Sequence, residues 1–258
     1  MKNILVVGGA SGIGAETVKL LQAKHFHVQV GDIHKPQSDV DYIILDIASP
    51  AGYANALAQF KSQEKRFDAL VITAAMHSAY PSEFVSDDTI DKVLAVNLIG
   101  HIKFVRDMIP LLNKDSRIVA VSSIAAGIGI PMESLYSASK AGLEMFYESL
   151  SVEIAYRGIH CSIIQPGNVN TGFNEKNNDY KERGEPSVDD AYHQILKKID
   201  SRYGMPAADV ARVIVTACTI DSPKFSYIVG QNALKAHLAK RILGRDLALK
   251  VMKKFFGV

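Results

Sequence analysis

The feature that most constrains the fold is a repeated alternation of short apolar runs with longer amphipathic stretches. Apolar runs predict buried strands at 4–7, 26–30, 42–45, 69–73, 117–121, 161–164 and 227–229. Helical spacing separates them at 15–24, 53–60, 87–97, 98–112, 136–157, 189–199 and 207–218, and a last helix closes the chain. Strands that are apolar on both faces and alternate with helices indicate a parallel sheet covered on each side. We therefore predict one doubly wound α/β domain spanning 1–258, with a parallel sheet of about seven strands and helices on both faces.

Composition excludes several other classes of protein. The net charge of +2 over 258 residues gives no global field that would attract nucleic acid. The two cysteines, Cys161 and Cys218, are too few for a disulfide framework and favour a reducing compartment. The N-terminus reaches its glycines too soon for a signal peptide, and no apolar run approaches the roughly 20 residues of a membrane span. These features predict a soluble, cytoplasmic protein that does not bind nucleic acid.

The first predicted strand runs directly into a glycine-rich turn, Gly8-Gly9-Ala10-Ser11-Gly12-Ile13-Gly14, which opens a helix. Glycines let the backbone approach a pyrophosphate closely, and the helix N-terminus offers free N–H groups and partial positive charge. A tight strand–helix turn without a ligand is the ordinary alternative. Asp32 ends the second strand, where an acid would bind a ribose 2′-hydroxyl, although an ordinary turn acid is equally compatible with that position.

Tyr136 and Lys140 lie four residues apart, a spacing that places both side chains on one face of a helix. Tyrosine has a reference pKa near 10, and lowering it by about three units requires roughly 4 kcal/mol. A cation about 4 Å away, at an effective dielectric constant near 20, supplies about that much. The pair could therefore work as an acid/base unit. In isolation, a packed tyrosine and a solvated lysine would be the commoner interpretation.

Ser123 ends the fifth predicted strand, shortly before the helix that carries Tyr136. Because ligands bind beyond the carboxyl ends of parallel strands, Ser123 and the start of this helix can meet over one crevice. A serine hydroxyl there could orient a carbonyl group and stabilise developing negative charge on its oxygen. The alternative role of Ser123 is a simple cap at the end of a strand.

Taken together, these residues resemble the short-chain dehydrogenase/reductase family, from about residue 3 to residue 230. The resemblance implies a Rossmann-type domain. It rests on Gly8, Gly12 and Gly14, on 68–71 before the fourth-strand motif, on Asn97, Ser123, Tyr136 and Lys140, and on the segments 166–171 and 227–231.

The resemblance also implies catalytic roles. Tyr136 would be the general acid/base, and Lys140 would lower its pKa and hold the nicotinamide ribose. Ser123 would bind the substrate oxygen, and Asn97 would position a water that links Lys140 to solvent. Without the family, Asn97 would be a helix-interior asparagine that kinks the helix or bonds the backbone locally.

The resemblance implies a nicotinamide cofactor and no metal. Asp32 would repel a 2′-phosphate, which favours NAD over NADP. Ser11 and Ile33 occupy positions that are often basic in NADP-dependent members, whereas the nearby His34 and Lys35 leave NADP open. The implied cofactor-binding residues are Gly8, Ser11, Gly12, Ile13, Gly14, Asp32, Asp46, Ile47, Ala74, Asn97, Tyr136, Lys140, Pro166, Gly167, Val169 and Thr171.

Two departures from the family pattern lie on neighbouring strands of the cofactor floor. Val7 replaces the usual threonine, and 72–75 reads Ile-Thr-Ala-Ala where the family has Asn-Asn-Ala-Gly. We predict that apolar packing replaces a polar contact there. The usual Asp-Gly-Gly near the C-terminus is absent as well.

The predicted substrate wall is partly apolar and comprises Ser123, Ile124, Met132, Asn168 and Phe173, of which Met132 and Phe173 could equally be ordinary packing. The family places its substrate lid at about 174–200, where the polar, aperiodic stretch 174–186 suits a loop. A surface loop without that role is the equal alternative. These features predict a secondary alcohol or ketone as substrate.

The tail at 232–258 predicts a basic amphipathic helix. Its charges and apolar residues recur at helical spacing, and packing on its own domain or on a second subunit is favoured over binding to an anionic membrane. The charged residues are Lys235, Lys240, Arg241, Arg245, Lys250, Lys253 and Lys254 against Asp246, and the apolar ones are Leu238, Ile242, Leu247, Val251 and Phe255.

The predicted function is therefore NAD(P)-dependent oxidoreduction of a secondary alcohol and a ketone by hydride transfer. The alternatives are a non-catalytic NAD-binding redox sensor, which predicts a broken tetrad, and an epimerase or dehydratase on the same fold. The resemblance also implies a homodimer or homotetramer built on the helices at 97–112 and 136–157.

Overall fold

A parallel sheet of seven strands organises the structure, a computed structural model that describes residues 2–171, 192, 195 and 204–257. Within these residues the strand order is β3-β2-β1-β4-β5-β6-β9, and every neighbouring pair is parallel. A short parallel pair, β7 with β8, lies beside it. The strands are β1 Asn3–Val7, β2 His27–Asp32, β3 Asp41–Ile44, β4 Phe67–Ile72, β5 Leu112–Val121, β6 His160–Pro166, β7 Val169–Asn170, β8 Met205–Pro206 and β9 Ser226–Val229.

Helices cover both faces of this sheet, which confirms the predicted fold class. Two of them, α1 and α6, pack on one face, and α2, α4 and α5 pack on the other. The helices are α1 Gly12–Ala23, α2 Pro50–Ser62, α3 Asp87–Leu94, α4 His101–Met108, α5 Ser134–Glu153, α6 Ala207–Thr219 and α7 Gln231–Phe256, with a π-helical segment at Ala95–Gly100 between α3 and α4.

The alternation of side chains along each strand divides the core in two. In β1, Leu5 and Val7 point to the side of α2, α4 and α5, whereas Ile4 and Val6 point to the side of α1 and α6. All four are at most 1% exposed. Successive strand residues face opposite sides, so a strand covered on both sides must be apolar throughout. This explains why the strands appear as continuous apolar runs.

The boundaries differ from the sequence prediction around β5 and its preceding helix. The predicted helix at 98–112 is broken by the π-helical segment and ends at Met108, because Pro110 lies in a 3₁₀ turn, Ile109–Leu111, and cannot continue an α-helix. The strand then begins at Leu112 rather than at 117, with an irregularity in its register opposite Phe67–Ala69. The predicted helix at 189–199 lies outside the described residues, apart from Tyr192 and Ile195.

The C-terminal helix α7 is long and divided at Gly244, whose backbone is not helical. Its apolar side chains at Ile242 and Val251 are 81% and 52% exposed. Of the two predicted packing partners, these side chains are not buried against their own domain, and packing on a second subunit stays a prediction. Within the described chain, no helix is both long and apolar enough to cross a membrane.

Candidate active site

A cleft of about 550 Å³ opens at the carboxyl ends of the strands, where the sheet order reverses between β1 and β4. It brings together all but three of the residues proposed from the sequence. Those that line it are Gly8, Ser11, Gly12, Ile13, Gly14, Asp32, Asp46, Ile47, Ala74, Ser123, Ile124, Tyr136, Lys140, Pro166, Gly167, Asn168, Val169 and Thr171. Asn97 and Met132 do not line it, and Phe173 and most of the predicted lid lie outside the described residues.

The glycine turn brings the start of α1 against the end of β1. A Cβ atom at Gly14 would lie 2.1 Å from the Gly8 carbonyl oxygen, and Gly8 itself has a φ of +83°. Ser11 precedes α1 with an extended backbone, and its side chain does not cap the helix. The first N–H groups of a helix lack intrahelical partners. This cradle therefore fits a pyrophosphate, whose negative charge the helix N-terminus favours.

Thr73 overturns the prediction of an apolar cofactor floor. Its hydroxyl donates to the carbonyl oxygens of Val7, at 3.1 Å, and Gly8, at 2.9 Å. The polar contact that the family makes from the end of β1 is therefore made by a residue just after β4. The sequence did not predict it, because the compensating residue follows the neighbouring strand in space and not the same one.

The carboxylate of Asp32 braces the glycine turn. It accepts hydrogen bonds from the Ala10 N–H at 3.0 Å and the His34 N–H at 2.9 Å. Asp46 similarly accepts from the Ala48 N–H at 2.9 Å. Both acids thus have a structural role, and both also line the cleft. The two interpretations of Asp32 left open by the sequence are therefore compatible.

Asn97 is fully buried in the π-helical segment and clamps the loop after β4. Its amide accepts from the Met76 N–H at 2.7 Å and donates to the Met76 carbonyl oxygen at 2.8 Å. It also donates to the Ser139 hydroxyl at 3.1 Å. Of the two roles that the residue suggested without the family, the helix irregularity is present, whereas the backbone contact reaches Met76, 21 residues away in the sequence, and is not local. π-Helical turns of this kind are frequent at functional sites.

Ser123, Tyr136 and Lys140 come together in the cleft beyond the carboxyl end of β5. The Lys140 ammonium is fully buried and donates to the Val121 carbonyl oxygen at 2.9 Å, and its Nζ lies 5.7 Å from the centre of the Tyr136 ring. The Ser123 hydroxyl is close enough to the Tyr136 phenol to lower its pKa, and it accepts a hydrogen bond from the Ala125 N–H at 3.1 Å. A phenol, a hydroxyl and an ammonium therefore converge on one point of the cleft.

The electrostatics of the phenol differ from the sequence prediction. Burial raises the pKa of Tyr136 above its usual range, the Glu133 carboxylate raises it further, and the Ser123 hydrogen bond lowers it. Burial also lowers the pKa of Lys140 to about 8, against the attraction of Glu144. The predicted net lowering of the phenol's pKa is therefore not met, because loss of water outweighs the other effects of the chain's own side chains. The chain alone holds Tyr136 protonated.

A buried hydrogen-bond network beneath Lys140 was not predicted. Glu144 accepts from the Ser122 hydroxyl at 2.7 Å and from the Gln165 amide at 2.8 and 2.9 Å, and Gln165 in turn accepts from Ser226. One signal was available: Glu144 follows Lys140 by four residues, a spacing that places the two side chains on one helix face. The partners on β6 and β9 could not be found without the strand order.

Glu133 and His77 also line the cleft and were missed. Glu133 immediately precedes α5, three residues before Tyr136, and His77 follows the residue clamped by Asn97. The Glu133 carboxylate lies 3.6 Å from the His77 imidazole, and the His77 ring contacts the Tyr136 ring edge-on at 5.1 Å. The sequence did offer one signal for Glu133, since it is an acidic residue just before the helix that carries Tyr136.

Of the predicted substrate wall, Ile124 and Asn168 lie in the cleft with Ser123, but Met132 does not. Met132 packs instead in a separate cluster with Ile195 and Phe256. Its alternative interpretation, ordinary packing, is the one that the structure supports. Within the described chain, no group of three or more His, Cys, Asp or Glu side chains could hold a metal ion.

Comparison with known proteins shows matches along most of the chain. The family described as short chain dehydrogenase matches residues 2–182. A 3-ketodihydrosphingosine reductase from Bacteroides thetaiotaomicron is 27% identical over 235 residues, covering 88% of this chain and 87% of that protein. A 3-oxoacyl-(acyl-carrier-protein) reductase from Rickettsia felis is 30% identical over 244 residues, covering 89% and 93%.

Solved structures share the fold. A short chain dehydrogenase from Burkholderia cenocepacia in complex with NADP has a TM-score of 0.76 at 17% identity, covering 100% of this chain and 98% of that one. A 3-ketoacyl-(acyl-carrier-protein) reductase from Brucella melitensis complexed with NADH has a TM-score of 0.73 at 20% identity, covering 88% and 96%. At these identities the likeness shows a common fold.

Proposed function

Because this chain belongs to the short-chain dehydrogenase family, we propose that it is an NAD(P)-dependent oxidoreductase that interconverts a ketone and a secondary alcohol. The observation that carries the proposal is the convergence of Tyr136, Ser123 and Lys140 in a cleft lined by a phosphate-binding glycine turn. The names of two relatives, both reductases, support the reaction class.

In the proposed mechanism Tyr136 is the general acid. Its phenol stays protonated because burial and the Glu133 carboxylate disfavour the charged form, so it can donate a proton to the substrate carbonyl oxygen. The Ser123 hydroxyl donates a hydrogen bond to the same oxygen and stabilises its developing negative charge. These features favour reduction over oxidation as the working direction.

The cofactor supplies the hydride when bound. The glycine turn and the start of α1 would hold its pyrophosphate, and Lys140 would hold the ribose next to the nicotinamide. Asp32 would accept a hydrogen bond from the adenine-side ribose. A 2′-phosphate would place two negative charges beside this carboxylate, and the neighbouring Ile33 offers no positive charge to balance them. We therefore propose NAD as the preferred cofactor.

The remaining residues position this machinery. Asn97 fixes the loop after β4 through its two bonds to Met76, and the half-buried Glu144 carboxylate favours the charged form of Lys140. We also propose that Asn97 orders a water between Lys140 and solvent. The resemblance to the family predicts this role, and the burial of the Asn97 and Lys140 side chains supports it.

The test is a screen of ketones and secondary alcohols with NAD(H) and NADP(H), followed by the absorbance of the reduced nicotinamide. Tyr136→Phe removes only the phenolic hydroxyl, and we expect turnover to fall by about 10²–10⁴-fold, the usual contribution of a general acid/base. The matched control is Tyr156→Phe, because Tyr156 is 79% exposed and lies outside the cleft. Wild-type turnover in the Tyr136 variant would refute the mechanism.

We propose in addition that the protein is a homo-oligomer whose interface includes α4 and α5. Apolar side chains stand exposed on these helices, namely Ile102 at 36%, Met145 at 62% and Val152 at 77%. Burial of such side chains against a second copy would remove apolar surface from water. The number of subunits is open to sedimentation measurements.

A further inference from the structure

The Glu133 side chain is the unexplained charge of the cleft. It is only 10% exposed, yet it lines the cleft a few residues from the catalytic tyrosine. It does not cap α5, although it occupies the position just before this helix. The proposed proton donation uses Glu133 only as a distant charge that keeps Tyr136 protonated and gives the carboxylate no contact with the substrate.

No described residue donates a hydrogen bond to the Glu133 carboxylate within 3.5 Å. The His77 imidazole, whose Nε2 lies 3.6 Å from the carboxylate, forms an ion pair with it only when the ring is protonated. Lys140, the buried cation of the same helix, is engaged with the Val121 carbonyl oxygen. A buried carboxylate is costly unless a donor, above all a cationic one, accompanies it. Within the described part of the chain, this carboxylate therefore has an imidazole at ion-pair distance but no hydrogen-bond donor within 3.5 Å.

The position of the carboxylate relates it to the reacting group. His77, which faces Glu133, contacts the Tyr136 ring at 5.1 Å, and Glu133 itself is close enough to raise the pKa of the phenol. A substrate oxygen held by Tyr136 and Ser123 therefore has the carboxylate as a near neighbour. A group on the adjacent carbon of the substrate would then lie on the side of the cleft that carries Glu133 and His77.

We propose that Glu133, supported by His77, binds a protonated amine on the carbon next to the substrate carbonyl, so that the protein reduces vicinal amino ketones to amino alcohols. An ammonium group satisfies the carboxylate with a charge-assisted hydrogen bond. A substrate carboxylate at the same place would be repelled by Glu133. A neutral hydroxyl could donate to Glu133 but would leave its charge uncompensated. This inference deepens the proposed function and rests on it.

The test compares ketones of matched length at pH 6.5: 1-amino-2-octanone, 1-hydroxy-2-octanone, 2-nonanone and 3-oxooctanoate. Charge-assisted hydrogen bonds in buried sites lead us to expect that wild-type kcat/KM is about 10–100-fold higher for the amino ketone than for 2-nonanone, and lowest for the keto acid. Glu133→Gln keeps the shape of the side chain and removes its charge. In this variant, the ratio of kcat/KM for the amino ketone to kcat/KM for 2-nonanone should fall close to one. The matched control, Glu148→Gln, changes an exposed acid of the same helix and should keep the preference.

The outcomes separate this inference from the proposed function. If wild type reduces 2-nonanone without preferring the amino ketone, or if Glu133→Gln keeps the preference, the subsite assignment is wrong while the reaction class stands. A preference for the hydroxy ketone would identify a neutral donor and overturn the ammonium assignment. If no ketone is reduced, the proposed function fails. A binding measurement then tests separately whether Glu133 binds an ammonium group. With NAD present, 1-amino-2-octanol should raise the thermal unfolding midpoint of wild type but not of Glu133→Gln, and equal shifts would refute the subsite.

Discussion

The buried ammonium of Lys140 should make the fold less stable at neutral pH than it would be without this charge. Burial lowers the pKa of Lys140 from 10.5 to about 8, so the folded state holds its proton less tightly than the unfolded state. Below pH 8 this difference costs about 3 kcal/mol of the free energy of unfolding. Between the two pKa values the unfolded chain binds more protons, so the contribution of Lys140 to stability rises as the pH rises.

The variant Lys140→Met isolates this effect, because methionine fills a similar volume without a charge. Loss of the bond to the Val121 carbonyl oxygen and changes in packing do not depend on pH. We therefore expect the stability of wild type relative to the variant to increase by about 2.5 kcal/mol between pH 7 and pH 10. Turnover should be strongly reduced at both values.

Urea denaturation of both proteins at pH 7 and pH 10, at one protein concentration, measures the difference. Other groups that titrate at alkaline pH are common to both proteins and cancel in the comparison. Lys114→Met, at an exposed lysine of β5, is the control and should show no such pH dependence. A wild-type-to-variant difference that is the same at both pH values would refute the buried-charge argument.

Three further changes probe other parts of the site. Asp32→Ala should raise the KM for NAD and relax the discrimination against NADP in steady-state assays, and an unchanged preference would exclude Asp32 as its source. Asn97→Ala leaves both backbone groups of Met76 without their buried partner and should lower the free energy of unfolding by about 2–4 kcal/mol in chemical denaturation; a loss below about 0.5 kcal/mol would contradict the clamp. Val152→Glu places a charge on the proposed subunit interface and should shift analytical sedimentation towards the monomer, whereas an unchanged assembly would place the interface elsewhere.

The strands and the glycine turn were predictable because their determinants are local. Leu5 and Val6 belong to opposite cores, and the sequence shows this as an unbroken apolar run. The fold class followed from such runs and from the helical periods between them. The start of α4 was less predictable, because the π-helical segment before it is held by tertiary contacts such as those of Asn97 with Met76 and does not follow from periodicity.

The parts of the site that escaped prediction depend on contacts between distant segments. Thr73 replaces a polar contact expected at Val7, which only the pairing of β1 with β4 reveals. Glu133 and His77 meet only because α5 begins over the end of β4. Spacing could bring Tyr136 and Lys140 together, since one helix carries both, but it could not show that burial would raise the phenol's pKa.

That raised pKa gives a last prediction about direction and pH. If Tyr136 is the proton donor, kcat/KM for reduction falls once the pH exceeds the pKa of the phenol, which burial and Glu133 hold above the pKa of about 8 at which Lys140 loses its proton. Glu133→Gln removes the second cause and keeps the first. The alkaline decline for a plain ketone such as 2-nonanone should therefore begin at lower pH in the variant than in wild type, whereas Glu148→Gln should leave it in place. A decline in Glu133→Gln that begins at the same or higher pH would show that the carboxylate does not act on the proton donor, and burial alone would then account for the raised pKa of Tyr136.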